Sequence, residues 1–257
     1  MTVSVGSQRL ALALPDATFS TTRFRTPGQD PVAPSADVRW GTAALGADWS
    51  LVAEQDGTYL MGEGYRWDAT RATLTLDAGL RASVGLAYNA LIDAAMSWHV
   101  ERVVRAGGLL LHAACLGRDS DAVVVAGPSH SGKSTLCQRL ESRFLSEEYA
   151  FVVPTASGWQ LHWFGERRAP CVERREQWHL EAIHWMTENR SGTRTWPLPV
   201  ADAIAALWPC VLVPSGLQDA ALGNLSLLAQ QVPVRALAHS LETPVAQVET
   251  ILFGEEP

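Results

Sequence analysis

Apolar positions change their rhythm along this chain just past residue 82. Before it, short apolar runs are divided by turn-forming clusters, Thr26-Pro-Gly-Gln-Asp-Pro31, Asp56-Gly57 and Gly62-Glu-Gly64. Thr73-Leu-Thr-Leu-Asp77 alternates with period two, and Trp49-Ser-Leu-Val-Ala53 is a short apolar run. Residues 1–82 are therefore expected to form a small β-rich, antiparallel domain. Leu86, Leu91, Ile92, Ala95, Met96, Val100 and Val103 then recur mostly at three- and four-residue spacings. That spacing describes an amphipathic helix running to Arg105 and ending before Gly107-Gly108. It opens a second domain, residues 83–257.

Within that domain Leu109–Cys115 and Asp121–Ala126, separated by Gly117-Arg-Asp-Ser120, predict a hairpin. Arg143–Ser146 predicts a strand, Glu147-Glu148 a turn, and Tyr149–Pro154 a second strand that returns as Trp159–Trp163 after Ala156-Ser-Gly158. Residues 173–187 and 200–207 read as helices and Cys210–Val213 as strand-like. Val232–Leu237 reads as a late strand and Pro244–Leu252 as a terminal helix.

Between the hairpin and the next helix stands Gly127-Pro-Ser-His-Ser-Gly-Lys-Ser134, which fits G-x-x-x-x-G-K-[ST]. The strand Ala122–Ala126 leads into it and a short helix, Ser134–Leu140, leaves it. This is the strand-loop-helix setting in which backbone N–H groups and a helix N-terminus face phosphate. Gly127 and Gly132 allow a close backbone approach to anionic oxygens. Ser129, Ser131, Ser134 and Thr135 supply hydroxyls around the loop, Lys133 can reach the β/γ-phosphates, and Ser134 can ligate Mg²⁺. The chain is expected to bind ATP or GTP with Mg²⁺.

Composition narrows the partners. A content of 47% hydrophobic and 18% charged residues is ordinary for a globular chain. The net charge of −7 and pI of about 5.5, without a Lys/Arg block, argue against nucleic acid. Leu10–Leu14 is too short for a signal-peptide core, and no run approaches the ~18 apolar residues of a membrane helix. A cytoplasmic location without membrane association is expected, and a homo-oligomer is left open. Cys115, Cys137, Cys171 and Cys210 lack C-x-x-C spacing, so neither zinc nor a disulfide framework is indicated. His130 occupies a variable loop position. His179 and His184, five apart on the expected helix, point about 140° from one another and form no zinc pair.

The order Gly107-Gly-Leu-Leu-Leu-His112, Gly127–Ser134, Phe144-Leu-Ser-Glu-Glu148, Phe164-Gly-Glu-Arg-Arg168 and Val232-Pro-Val-Arg-Ala-Leu237 resembles the HPr serine kinase/phosphorylase superfamily. Within it, the order resembles the shorter HPr kinase-related proteins often found beside peptide natural-product genes. The resemblance covers about two-thirds of the chain. It implies a PEP-carboxykinase-like P-loop kinase core of α/β class behind the small β-rich N-terminal domain. It also implies transfer of the ATP γ-phosphate to a hydroxyl.

By the same resemblance His112 lies in the active site, Glu147 stands on the Mg²⁺ side, and Glu148 is general base alongside Lys133. Glu166 is a further metal or acceptor-side carboxylate, and Arg167 and Arg168 are candidates for stabilising transferring charge. Trp178, Trp185 and Arg174–Arg175 could line an acceptor groove. Two departures stand out. The acidic pair is Glu-Glu where the family has Asp-Asp, and the longer glycine-rich signature for the carrier protein is missing. By the resemblance the acceptor is expected to be a serine of a peptide or protein. The alternatives are a small hydroxylated molecule, or no acceptor at all in an inactive nucleotide-binding module.

Overall fold

The computed structural model describes residues 2–5, 8–13, 35–41, 50–54, 57–62, 65–68, 73–77, 84–162, 177–187 and 192–254. Glu166, Arg167, Arg168, Cys171, Arg174 and Arg175 lie outside them. The chain divides into two compact units, residues 1–102 with 213–219, and residues 103–212 with 220–257.

The first unit holds β1 (Thr2–Val5), β2 (Gln8–Ala13), β3 (Ser35–Gly41), β4 (Ser50–Glu54), β5 (Gly57–Gly62), β6 (Tyr65–Asp68) and β7 (Thr73–Asp77). They form one sheet in the order β1-β2-β3-β7-β6-β5-β4. The expected antiparallel pairing is found for β1/β2 and for the meander β4 to β7, whereas β3 runs parallel to both β2 and β7. Parallel neighbours need a long connection, and the stretch 14–34 supplies one between β2 and β3. Tyr65, Trp67, Leu74 and Leu76 are buried on this sheet. The helix α1 (Val84–Arg105) follows, with Met96, Trp98 and Val100 buried and Tyr65 hydrogen-bonded to Ser97.

The second unit is mixed α/β, a curled sheet flanked by helices. Its first strands are β8 (Leu109–His112), β9 (Ala114–Arg118) and β10 (Asp121–Ala126). After α2 (Lys133–Arg139) come β11 (Phe144–Ser146), β12 (Tyr149–Thr155), β13 (Gly158–His162) and β14 (Gln177–Met186). Next are β15 (Arg194–Pro197), α3 (Val200–Leu207), α4 (Gln218–Gln231), β16 (Val234–Ala238) and α5 (Val245–Phe253).

The sheet closes on itself through one break. β8 and β9 are nearly a single strand interrupted at Ala113. The first half pairs with β12, while the second pairs with β10 on one side and β11 on the other. The order β9-β10-β14-β13-β12-β8 thus returns to its starting strand. β10, β14 and β16 run parallel at its centre. On one face α2 packs through Leu136, Cys137 and Leu140 beside Val248, Leu252 and Phe253 of α5, over Val123 and Val125.

One expected helix is a strand. Residues 177–186 form β14, in which Trp178, Leu180 and Ala182 are buried while His179 is exposed and Glu181 half-buried. That period-two pattern gives way to the continuous burial of Ala182–His184, as a strand covered on both faces requires. His179 and His184 are not 140° apart: the register irregularity between Ala122 and Val123 pairs them with Asp121 and Val125, two positions on one face of β10. Cys210, expected in a strand, closes the short 3₁₀ turn Trp208–Cys210, and Val211 then bridges to Leu111. α4 and β15 have no counterpart in the sequence reading. Among the described residues no helix is long and apolar enough to cross a membrane.

Candidate functional site

The parallel trio fixes where a ligand site can form. Loops leaving the C-terminal ends of adjacent parallel strands diverge, and their backbone N–H groups are not consumed by the sheet. Here the ends of β10, β14 and β16 release Gly127, Thr187 and His239 along one edge.

The loop after β10 is built around close backbone contact. A Cβ on Gly127 would stand 2.9 Å from the Ser131 hydroxyl and 3.0 Å from Met186 Cβ, so the position tolerates only glycine. Gly132 has φ 104° and precedes α2 in a left-handed conformation that other residues adopt at a cost. His130 nevertheless holds φ 63°, the kind of local strain that accumulates at functional turns. Lys133 Nζ donates to the carbonyls of Gly127 at 2.8 Å and Pro128 at 2.9 Å, which holds the ammonium at the loop mouth. The Ser131 hydroxyl is buried and has no hydrogen-bond partner among the described residues. Ser129, Ser134 and Thr135 are exposed on the same loop and first helical turn.

The acidic pair arrives by way of the break in the sheet. Glu147 and Glu148 form the exposed turn between β11 and β12. The Ala113 N–H donates to the Glu148 carbonyl at 3.1 Å, filling the gap between β8 and β9. Ala114 lies opposite Val125, two residues before Gly127, so the break brings this turn beside the start of the loop. His112, exposed and paired with Tyr149 on β12, ends β8 at the same point. Its strand is expected beside the strand feeding the loop; that neighbour is β9, while β8 pairs with β12.

Two thiols register the charges that meet here. Burial pushes the Cys137 thiol up to about 12, with the Glu147 carboxylate adding to the rise and the Lys133 ammonium opposing it. Burial also raises the Cys210 thiol, opposed by a backbone hydrogen bond from Gly127 and by Lys133. Lys133 therefore sits within electrostatic reach of both thiols, and Glu147 within reach of one. Both cysteines are buried free thiols and inert by this chemistry.

Facing the loop, the turn after β16 is held by Arg139 from the last turn of α2. Its guanidinium donates to the carbonyls of Ser240 at 3.0 Å and of Thr243, and lies 3.2 Å from His239 Nε2. Burial lowers the pKa of His239 and the nearby Arg139 lowers it further. Ser240 N–H donates to Thr193 Oγ1 at 3.0 Å, so the turn is fixed from both sides. Between loop and turn lies a cavity of about 410 Å³. The sequence reading missed this wall; its only local sign is the sequence Ser240-Leu-Glu-Thr-Pro244, a turn composition before a helix.

Trp178, expected at a groove, is 1% exposed and belongs to the core, while Trp185 is half-buried. Among the described residues no group of three or more His, Cys, Asp or Glu side chains gathers as a metal cage. A Mg²⁺ held largely by phosphate oxygens and water needs only one or two protein ligands, which the loop hydroxyl and the acidic turn could supply.

Residues 89–170, about a third of the chain, match the family model of ScmC, the SynChlorMet cassette protein. The matched stretch begins in α1 and contains the phosphate-type loop, the Ala113 break and the Glu147-Glu148 turn. No curated protein matches the chain.

Proposed function

We propose that this chain is a Mg²⁺-dependent kinase on a PEP-carboxykinase-like P-loop core, passing the γ-phosphoryl group of ATP or GTP to a hydroxyl, foremost a serine of a peptide or protein. One juxtaposition carries the reading. The Ala113 N–H binds the Glu148 carbonyl and Ala114 pairs with Val125, two residues before the loop, so the acidic turn and the loop flank the same break in the sheet.

Phosphoryl transfer asks the protein for position and charge neutralisation more than for covalent chemistry. Lys133 would exchange two neutral carbonyls for the β/γ-oxygens by rotating its side chain alone, since the loop backbone already holds its shape. Ser134 and Glu147 are the side chains that would hold Mg²⁺, which when bound neutralises the triphosphate oxygens. Glu148 would take the proton of the acceptor hydroxyl as its oxygen bonds to the γ-phosphorus. The bond to the bridging oxygen then breaks, and the diphosphate leaves with the electron pair. His112 at the break would orient that carboxylate. Glu166, by the family pattern, remains an acceptor-side candidate.

The test is acceptor-dependent ADP formation with Mg·ATP, run against serine-containing peptides on one side and free serine and other hydroxylated metabolites on the other. Phosphopeptide product supports the proposal, and turnover with only the small acceptors redirects it to a small-molecule kinase. Nucleotide binding without turnover for any acceptor would leave a nucleotide-binding module and overturn the kinase reading.

A further inference from the structure

The cavity between the loop and the turn after β16 has the size of a small-molecule site, within the roughly 300–1,000 Å³ typical of such pockets. His130, Ser131, Gly132 and Thr135 form its loop side, so it continues directly from the phosphate cradle. Its other wall, residues 239–242, has an unusual composition. Leu241 lines the cavity yet is 65% exposed, more than the other exposed large hydrophobic residues described. An apolar side chain lining a cavity beside polar groups offers a flat apolar surface a contact that a wholly polar lining does not. Beside it stands the exposed carboxylate of Glu242, whose backbone N–H is fixed on the Ser240 hydroxyl at 3.3 Å. A carboxylate repels phosphate but accepts hydrogen bonds strongly from neutral O–H groups. This wall therefore suits the uncharged end of a nucleotide, and Arg139 keeps it in place from the same helix that begins at the loop.

We infer that this cavity takes the nucleoside of the triphosphate, with the base against Leu241 and the ribose hydroxyls donating to Glu242. The inference rests on the phosphate-loop reading above. Leu241 offers the same apolar contact to either purine, so the site discriminates little between adenine and guanine; it selects for the sugar.

The experiment is equilibrium binding by calorimetry with four Mg²⁺-loaded probes: ATP, GTP, 2′,3′-dideoxy-ATP and inorganic tripolyphosphate. ATP and GTP are expected to bind the parent within a few-fold of one another, and dideoxy-ATP and tripolyphosphate about tenfold more weakly or worse. Glu242→Gln should weaken ATP by about tenfold while leaving dideoxy-ATP unchanged, because the partner hydroxyls are already gone. Leu241→Ser should weaken ATP, GTP and dideoxy-ATP together and leave tripolyphosphate unaffected.

Equal binding of ATP and tripolyphosphate by the parent overturns the inference while the phosphate loop stands, and that comparison needs no variant to fold. Equal losses of ATP and dideoxy-ATP in Glu242→Gln overturn the ribose contact. If no probe binds, the phosphate-loop reading fails and the inference with it.

Discussion

At the N-terminal end of the parallel strands, Asp121 and His179 stand 3.4 Å apart as a surface pair. Burial raises the pKa of the neighbouring Glu181 carboxyl, Asp121 raises it further, and Arg118, Arg235 and His179 pull it back. Arg118 also donates to the carbonyls of Phe253 at 3.1 Å and Gly254 at 3.2 Å, closing the C-terminus of α5. Asp121, His179, Glu181 and Arg118 at this end each face another charge or a helix end. At the C-terminal end of the same strands Lys133 Nζ donates to two neutral carbonyls, and the acidic turn lies at the break in the sheet. A cation held by neutral acceptors keeps most of its attraction for an incoming anion, whereas one already paired does not. The same sheet thus has one end of paired charges and one end where a lysine is held by carbonyls.

The hardest blow to that contrast comes at Lys133. Lys133→Ala should lower kcat/KM for transfer by on the order of 10³-fold while the melting temperature stays within a few degrees. Turnover equal to the parent at saturating Mg·ATP would remove the loop from the active site. Glu148→Gln keeps the size and polarity of the acidic turn, and should lower kcat by on the order of 10²-fold with ATP affinity within a few-fold. Glu147→Gln should show itself as a higher Mg²⁺ requirement. If the two substitutions behave alike, the division of labour between the carboxylates is wrong.

Acidity should act on the core between the two ends. His184 is fully buried, its pKa is lowered to about 4, and its Nε2 lies 3.0 Å from the Leu252 carbonyl. Its folded pKa lies below the unfolded value of 6.5, so the unfolded chain binds the proton first. The stability present above pH 6.5 is lost as the pH falls toward 4, by about 2 kcal/mol at pH 5 for this residue. Urea unfolding at pH 7 and pH 5 should show a smaller difference for His184→Gln than for the parent. An unchanged difference would assign the acid sensitivity elsewhere.

The end of paired charges should be nearly silent. Its Asp121–His179 pair is about half exposed, so Asp121→Asn is expected to change stability by less than about 1 kcal/mol and leave nucleotide affinity untouched. A tenfold loss of ATP binding in this variant would abolish the distinction between the ends. Smallest of all, His130→Gly removes a left-handed non-glycine residue and should raise stability by up to about 1 kcal/mol in a denaturant titration.

Local order told part of this in advance. The strand Asp121–Ala126, the loop and α2 were legible because an apolar run, two glycines, a lysine and a short helix are consecutive. α1 was legible from its spacing, and the turn at Glu147-Glu148 from the apolar runs on either side. β14 was not: its buried residues mimic a helical face over a few turns. What makes it a strand is the presence of β10, β13 and β16 as pairing partners, two of which run parallel to it. Trp178, offered as a groove residue, belongs to the core for the same reason.

The sequence by itself determined the elements and the chemistry each can carry: a phosphate-type loop with its lysine, an acidic turn, a histidine at the end of an apolar strand. Whether these meet was decided by the tertiary structure. The interruption at Ala113 lets one stretch of chain pair with β12 on one half and with β10 and β11 on the other, and so brings the acidic turn to the loop. Arg139 reaches a turn 101 residues away at Ser240 to form the far wall of the cavity. Periodicity and motif are properties of neighbours along the chain. Register and closure depend on which distant strands share hydrogen bonds, and no local pattern encodes that choice.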